Sequence, residues 1–569
     1  MKKTIIGFCA FFCLSICGCY SSASGFTPPD TASEVSMKAA PSVIAEATAL
    51  NEAENMLEFA DVILFDFEFA DFSVASAYDL CKEAVPAVRL RTESGARKVT
   101  AFLKESEAQD VFVVSESAEL IDSVRAEYAA VRGVYDARAY ELGGQDGYAL
   151  AGKACAAGAQ IVLLGKNASR EIIEKIQARA ILVWVQTSAD QMSVCAAAAS
   201  GCYGIVTDNA KEAKSALLMF CAETVIRPTY IAGHRGCPRK YNENSAEGVE
   251  AALKAGATHA EIDVHLSADG ELVIMHDPTL DRTTNGTGRI RDLTLAEIRR
   301  YNIVDNVMLA GVSQIPILAD MFEIIRKPEF VDKLLIIELK ANDTSLVSAL
   351  KSEIAKYPEL RDRLMFITFY ESLLSLLCEQ MPDIPRGYLD SLSKTDFLRR
   401  MSPHNAFIDN IVAAELISVE SARYLRDYGY AAWSWTYNDG GSLSSAVGAG
   451  YAGVTANNPE DGGGYIYKIC APSALTATKA KSAIETDAIL FDGSVRKAEG
   501  EWLPLSATAG LIKVEYADEE NFQTLAYYSE LVILQEEKGC AGFIFAESSI
   551  CAAVSLCACA CIAIRRRKA

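Results

Sequence analysis

Twice along this chain of 569 residues, short β-branched runs alternate with Ala-, Glu- and Lys-rich stretches of helical length. That alternation constrains the fold more than any other feature, because strand, helix, strand in series demands parallel strands joined by crossover helices. In the first block the runs fall at 62–66, 86–90, 110–115, 133–136, 161–165, 181–186 and 204–207. In the second they fall at 230–232, 260–264, 272–276, 334–339, 365–369, 387–389, 431–436 and 452–455. Eight such runs predict a (β/α)8 barrel of TIM type over 226–467, expected to work alone on small substrates. The earlier seven predict a barrel-like α/β domain over 51–225. Trp184, Gly201 and Gly204 recur at a constant offset as Trp433, Gly450 and Gly453, so the first block reads as a diverged copy of the second. It holds no histidine and no matching pair of acids, and is expected to be non-catalytic.

The flanks read differently. Residues 25–50 are rich in Ser, Ala, Thr and Pro and are expected to be a linker. After Gly464 the pattern changes to β-rich runs, predicting a small β module over 468–538. Lys2 and Lys3 precede an apolar run and a small-residue exit, so 1–24 reads as a signal peptide. Cys19 in a lipobox-like Leu-Ser-Ile-Cys-Gly-Cys is the alternative processing site. Residues 541–564 are apolar apart from Glu547 and a few serines, and stop at Arg565-Arg566-Arg567-Lys568. That span predicts a transmembrane helix with a basic cytoplasmic tail over 565–569. The expected placement is a bacterial cell membrane, with the catalytic part outside. A net charge of −21 excludes a general nucleic-acid binder, which needs a basic face. Of 17 cysteines, those between the two ends show no CxxC pair, so neither a zinc site nor a disulfide framework is expected.

The chemistry concentrates between Gly233 and Lys340. Four of the five histidines fall there, with Gly233-His234-Arg235-Gly236, Glu243-Asn244-Ser245, Glu261-Ile262-Asp263, His276-Asp277 and Glu338-Leu339-Lys340 at or just after strand ends. Barrel enzymes keep their active sites on that face. The period of two puts Glu261 and Asp263 on one side of a strand, and Glu338 joins them from another. Three converging carboxylates call for a hard divalent cation, Ca²⁺ or Mg²⁺. His234 and His276 on different strands suit general acid–base work, and Arg235 and Lys340 suit a phosphate. The sequence leaves both assignments of acid and base open. His259 and His404 belong to no motif and are expected at the surface, while His265 is expected to line the pocket.

At these residues the chain resembles the glycerophosphodiester phosphodiesterase family. The run from His234 through Arg291 follows that pattern nearly without gaps, including the stretch Asp281-Arg282-Thr283-Thr284-Asn285-Gly286-Thr287-Gly288, and 278–316 resembles the family's insertion. The resemblance implies metal ligation by Glu261, Asp263 and Glu338, and catalysis by His234 and His276. Arg235 and Lys340 would hold the phosphate, and Glu243 and Trp435 would line the pocket. The family's Thr-Asp-x-Pro reads Ala456-Asn457-Asn458-Pro459, a departure expected to be structural. The implied activity is metal-dependent hydrolysis of a glycerophosphodiester, small or polymeric, to glycerol phosphate and an alcohol. The alternative is a surface protein that binds phosphodiester polymers or phospholipid headgroups without turnover.

Overall fold

The computed structural model describes residues 37–535, leaving out 70, 83, 109, 140–146, 390–399, 407, 413–418 and 520–522. The expected signal peptide, transmembrane helix and basic tail lie outside the described residues. Among the described residues no helix is long and apolar enough to cross a membrane.

The first barrel is closed by eight parallel strands: β1 (Ser42–Ala47), β2 (Val62–Phe65), β3 (Val85–Arg89), β4 (Phe112–Ser115), β5 (Arg132–Asp136), β6 (Ala159–Leu164), β7 (Leu182–Gln186) and β8 (Gly204–Thr207). Helices return the chain between them. Several open on a side-chain cap (Thr92, Ser117, Ser169, Asp190 and Asn209), each accepting a backbone N–H from the first turn. β1 corrects the expected linker over 25–50. Its sequence, Ser-Val-Ile-Ala-Glu-Ala, carries little β propensity and does not stand out from its Ser/Ala-rich surroundings. Pairing with β2 on one side and β8 on the other makes it a strand, and buries all of it but Glu46.

After β9 (Thr224–Val225) the second barrel begins with β10 (Tyr230–Gly233) and β11 (His259–Leu266). β12 (Leu272–Ile274), β13 (Asn302–Ile303) and β14 (Ser313–Gln314) follow. Then come β15 (Leu334–Leu339), β16 (Leu364–Thr368), β17 (Arg386–Leu389), β18 (Ile408–Val412), β19 (Ala431–Tyr437) and β20 (Gly453–Ala456). β10 pairs with both β11 and β20, which closes eight parallel strands into a ring. Two expectations need correction. The run 272–276 is no barrel strand: β12 folds back antiparallel on the far end of β11, lifting that strand above the barrel mouth. Alternating periodicity is the same for a parallel strand and a hairpin arm, so the pattern cannot separate them. The eighth barrel strand is β18, whose Ile-Asp-Asn-Ile-Val has two polar residues in its middle.

The barrels pack base to base. Residues at the N-terminal ends of the strands of one meet those of the other, and one apolar core runs from Phe112, Ile161 and Trp184 through to Leu334, Met365 and Trp433. Polar groups pin this junction. Arg179 is fully buried and donates to Tyr148 O at 2.7 Å and to Asp383 O at 2.8 Å. Arg125 reaches Ser402 O at 2.9 Å, and the Arg132 guanidinium lies between the rings of Phe112 and Tyr428. The two C-terminal mouths therefore open in opposite directions.

The remaining described residues form a β module: β21 (Ile466–Cys470), β22 (Ala474–Thr476), β23 (Ile484–Leu490), β24 (Val495–Pro504), β25 (Ala509–Asp518), β26 (Gln523–Tyr528) and β27 (Val532–Gln535). Most of its pairings are antiparallel, but β26 takes β9, from the connection between the barrels, as a parallel edge partner. Phe220 stacks on Tyr528, and Ser444 bonds Asp518, so the module touches both barrels.

Candidate active site

The mouth of the second barrel gathers His234, Arg235, Glu261, His276, Glu338, Lys340 and Trp435 around one pocket, with Ile367, Phe369, Leu389 and Thr455 completing its wall. β10 delivers the first two. Past Gly233 the chain turns with Arg235 at φ 48° and Gly236 at φ 83°. A Cβ on Gly236 would meet the Gly248 carbonyl carbon at 2.6 Å, so only glycine lets this loop lie against the helix Ala246–Lys254. The turn aims the Arg235 N–H at Glu261, donating to Oε2 at 2.9 Å.

β11 carries Glu261 and Asp263, and β15 carries Glu338 one register step away, with Asp263 opposite Glu338. One carboxylate oxygen from each of the three lies within 4.8 Å of the others. Against them stand two cations. Lys340 Nζ is 2.7 Å from Glu338 and 3.6 Å from Asp263, while Arg235 Nε is 3.3 Å from Asp263. Arg235 is also shared with Glu243 at 3.2 Å, so the trio is under-compensated. Its electrostatics show this. Burial, then Asp263 and Glu338, push the Glu261 carboxyl well above the usual range. Burial and Asp263 push Glu338 up to about 8. Burial works against Asp263 too, but Lys340, Arg235 and the Asn244 amide outweigh it and hold that group below its ordinary value. Glu261 Oε1 is buried with no hydrogen-bond partner. An orphaned carboxylate oxygen beside two more fits a hard divalent cation.

The two histidines differ in their partners. His234 Nδ1 lies 2.6 Å from Asn457 Oδ1, an acceptor, so Nδ1 carries the proton and Nε2 keeps its lone pair. Burial first, and Arg235 second, push its pKa down to about 4. His276 Nδ1 lies 2.6 Å from the Asp277 carboxylate. Arg282 grips Asp277 at 2.6 Å and, with the His276 bond, holds that carboxyl far below its usual range. His276 follows the β12 arm rather than ending a barrel strand, and its carbonyl accepts from His265 Nε2 at 3.1 Å.

Several residues stand elsewhere than the sequence implied. Glu243 is not in the pocket wall; its carboxylate is taken up by Arg235 and Arg282, so it clamps rather than lines. His265 lies outside the wall too and braces the His276 backbone. His259 is fully buried at the base, donating from Nε2 to Ala178 O of the first barrel at 2.9 Å and stacked edge-on against Trp433. It is an interface residue, and the surface expectation fails because its partner belongs to the other barrel. Asn457, expected to be structural, touches His234 directly. Asn244 is a further omission: it donates to Asp263 Oδ2 at 2.7 Å and accepts the Asp263 N–H at 3.1 Å, fixing the carboxylate's direction.

The sequence profile of the glycerophosphoryl diester phosphodiesterase family matches residues 234–461. The glycerophosphodiester phosphodiesterase of Caldanaerobacter subterraneus subsp. tengcongensis is 28% identical over 246 residues, covering 41% of this chain and 95% of the relative. That of Bacillus altitudinis is 31% identical over 193 residues, covering 33% of this chain and 77% of the relative. Among solved structures, a glycerophosphodiester phosphodiesterase from Thermotoga maritima is 30% identical and covers 41% of this chain and 96% of that one, with a TM-score of 0.34. All of these similarities are shorter than half the chain, and the profile match falls on the second barrel. Through that barrel the chain belongs to the glycerophosphoryl diester phosphodiesterase family and is a phosphoric diester hydrolase.

Proposed function

We propose that the second barrel hydrolyses glycerophosphodiesters to glycerol phosphate and an alcohol with the help of one divalent cation, Ca²⁺ or Mg²⁺. The observation that carries this reading is the unlike pairing of two histidines across one pocket. His234, neutral with a free Nε2, is the base that takes a proton from the attacking water or glycerol hydroxyl. His276, backed by a carboxylate, is the acid that protonates the leaving alcohol, since Asp277 supplies the negative partner an imidazolium needs. Arg235 and Lys340 face the non-bridging phosphate oxygens, their charges already aimed by Glu243 and Glu338. Glu261, Asp263 and Glu338 would hold the cation, which when bound draws electron density from the phosphoryl group. Trp435 and Phe369, with ring centroids 6.1 Å apart, form the apolar wall against the alcohol.

The chain ends support a membrane-tethered enzyme working outside the cytoplasm, through the basic-apolar start and the apolar run ahead of Arg565. The test is release of glycerol phosphate from glycerophosphocholine by the purified chain, with and without chelator. Release surviving exhaustive chelation overturns the cation assignment, and no release from any glycerophosphodiester overturns the activity.

A further inference from the structure

Arg282 stands on the insertion over 278–316, on a stretch whose backbone is pinned. Leu280 and Thr283 are buried beside it, and Thr284 Oγ1 donates to Leu280 O at 2.6 Å. The Thr283 carbonyl accepts the Val304 N–H at 2.8 Å, and Asp281 accepts the Gly288 N–H at 3.2 Å. Leu280 belongs to the insertion's own small apolar core, with Ile290, Ile298, Ile303 and Ile315. The half-exposed side chain of Arg282 thus reaches out from a fixed base.

Its guanidinium takes two carboxylates at once. Nε donates to Asp277 Oδ2 at 2.6 Å and Nη2 to Asp277 Oδ1 at 3.1 Å. Nη2 also donates to Glu243 Oε1 at 2.6 Å, and Nη1 to Glu243 Oε2 at 3.1 Å. A planar fork can hold both acids in this way; a lysine ammonium cannot. Beyond each carboxylate lies a residue of the pocket. Asp277 Oδ1 is 2.6 Å from His276 Nδ1, and the two Glu243 oxygens are 3.2 Å and 3.3 Å from Arg235 Nη1. The run His276, Asp277, Arg282, Glu243, Arg235 is therefore unbroken. Its two ends line the pocket and its middle does not.

The charges along the run show what the middle does. Asp305 also faces Glu243, accepting its N–H at 3.2 Å, and Asp263 faces both Arg235 and His276 from β11. Removing Arg282 leaves Glu243 and Asp277 short of one cation. Glu243 then puts its whole charge on Arg235 and draws that guanidinium off the phosphate. Asp277 loses the fork that sets its direction, and the His276 ring loosens with it.

We infer that Arg282 is a positioning residue that aims the acid and the phosphate grip together, from outside the pocket. The inference rests on the roles proposed above for His276 and Arg235.

The test uses the full chain with Arg282→Ala. For glycerophosphocholine, whose leaving alcohol needs a proton, kcat/KM should fall about 10²-fold. For glyceryl p-nitrophenyl phosphate, whose nitrophenolate leaves without one, the fall should be about 10-fold, from the loosened grip alone. Equal falls, or none, overturn the inference. Free guanidinium, small enough for the gap, should restore hydrolysis of both esters with one shared half-saturation, since one ion fills one place. A loss that guanidinium leaves untouched assigns Arg282 to folding and overturns the inference. If Arg282→Ala does not fold, Arg282→Lys must show the same unequal falls. Calorimetric binding of glycerol phosphate reads the grip without turnover, and should weaken about 10-fold in Arg282→Ala. Unweakened binding overturns the inference. Weakened binding in a chain that hydrolyses neither ester upholds the Arg235 end and sinks the proposed activity instead.

Discussion

In both barrels a tryptophan on the seventh strand lies against a glycine on the eighth: Trp184 on Gly204, Trp433 on Gly453, in the same register. A Cβ on either glycine would meet the indole at 2.3 Å, so each pair is a plug that tolerates no side chain. The mouths above these plugs differ completely. In the first barrel Arg89 pairs with Glu46 at 2.5 Å and Asp136 at 3.2 Å, Arg138 pairs with the same two acids, and Arg91 closes on Asp66. Every carboxylate of that ring has its guanidinium. In the second barrel three carboxylates share one lysine and part of one arginine, and an oxygen is left over. The same architecture therefore carries cancelling charges in one mouth and under-compensated carboxylates in the other.

The sharpest way to break this comparison is to separate the barrels. The alternation in the sequence suggests a self-sufficient enzyme over 226–467. The base-to-base core, with Trp433 and His259 buried against the first barrel, argues otherwise. Residues 226–535 expressed alone should be insoluble or unfolded by circular dichroism; a folded, active product would show that the junction is dispensable.

Next in size are matched substitutions at the mouths. Asp263→Asn should cut kcat/KM about 10³-fold with little change in Tm, as expected when a group that orders charge at the phosphoryl centre is lost. Glu46→Ala should do the reverse. Activity should hold, while urea unfolding shows a loss of about 1–3 kcal/mol from the uncompensated arginines, part of it screened by solvent. An activity loss in Glu46→Ala would mean that the first mouth also serves the reaction.

A smaller effect tests the histidine asymmetry. Asn457→Leu removes the acceptor that fixes the His234 tautomer, and should lower kcat about 10-fold at unchanged Tm. Asn457→Asp should keep the geometry and move the acid limb of the pH–rate profile upward, because a carboxylate favours the imidazolium and so withdraws the base at higher pH. An unmoved limb would assign that limb to a group other than His234.

The smallest signal is a proton. With Glu338 raised to about 8, the cation-free site holds protons at pH 7 that a bound cation must displace. Calorimetric titration of Ca²⁺ or Mg²⁺ in buffers of different ionisation enthalpy should show on the order of one proton released at pH 7, fading as pH rises past that value. Release that does not fade would place the proton on another group.

How much of this was readable beforehand depended on how local each signal was. His234 through Asp277 was legible because the groups that cooperate stand in short motifs at successive strand ends. β1 and β18 were not, since Ser42–Ala47 and Ile408–Val412 are made strands by neighbours far away in sequence rather than by their own composition. Asn457 and His234 lie at opposite ends of the barrel's sequence and meet only when β20 closes on β10. His259 shows the same limit across domains: a histidine with no motif has no visible partner until a second barrel supplies the carbonyl.

The pairing of β9 with β26 carries a consequence for biosynthesis. The first of these strands leaves the ribosome before any of the catalytic barrel exists, and the second only after all of it has been made. The sheet edge they form is thus a latch that closes only after the whole catalytic barrel has been made. Loop-closure cost grows slowly with length, so the delay costs little in stability while making this contact a late step of assembly. A product cut short before the module keeps both barrels but never acquires the strap across their connection, which gives quality control a structural mark of incompleteness.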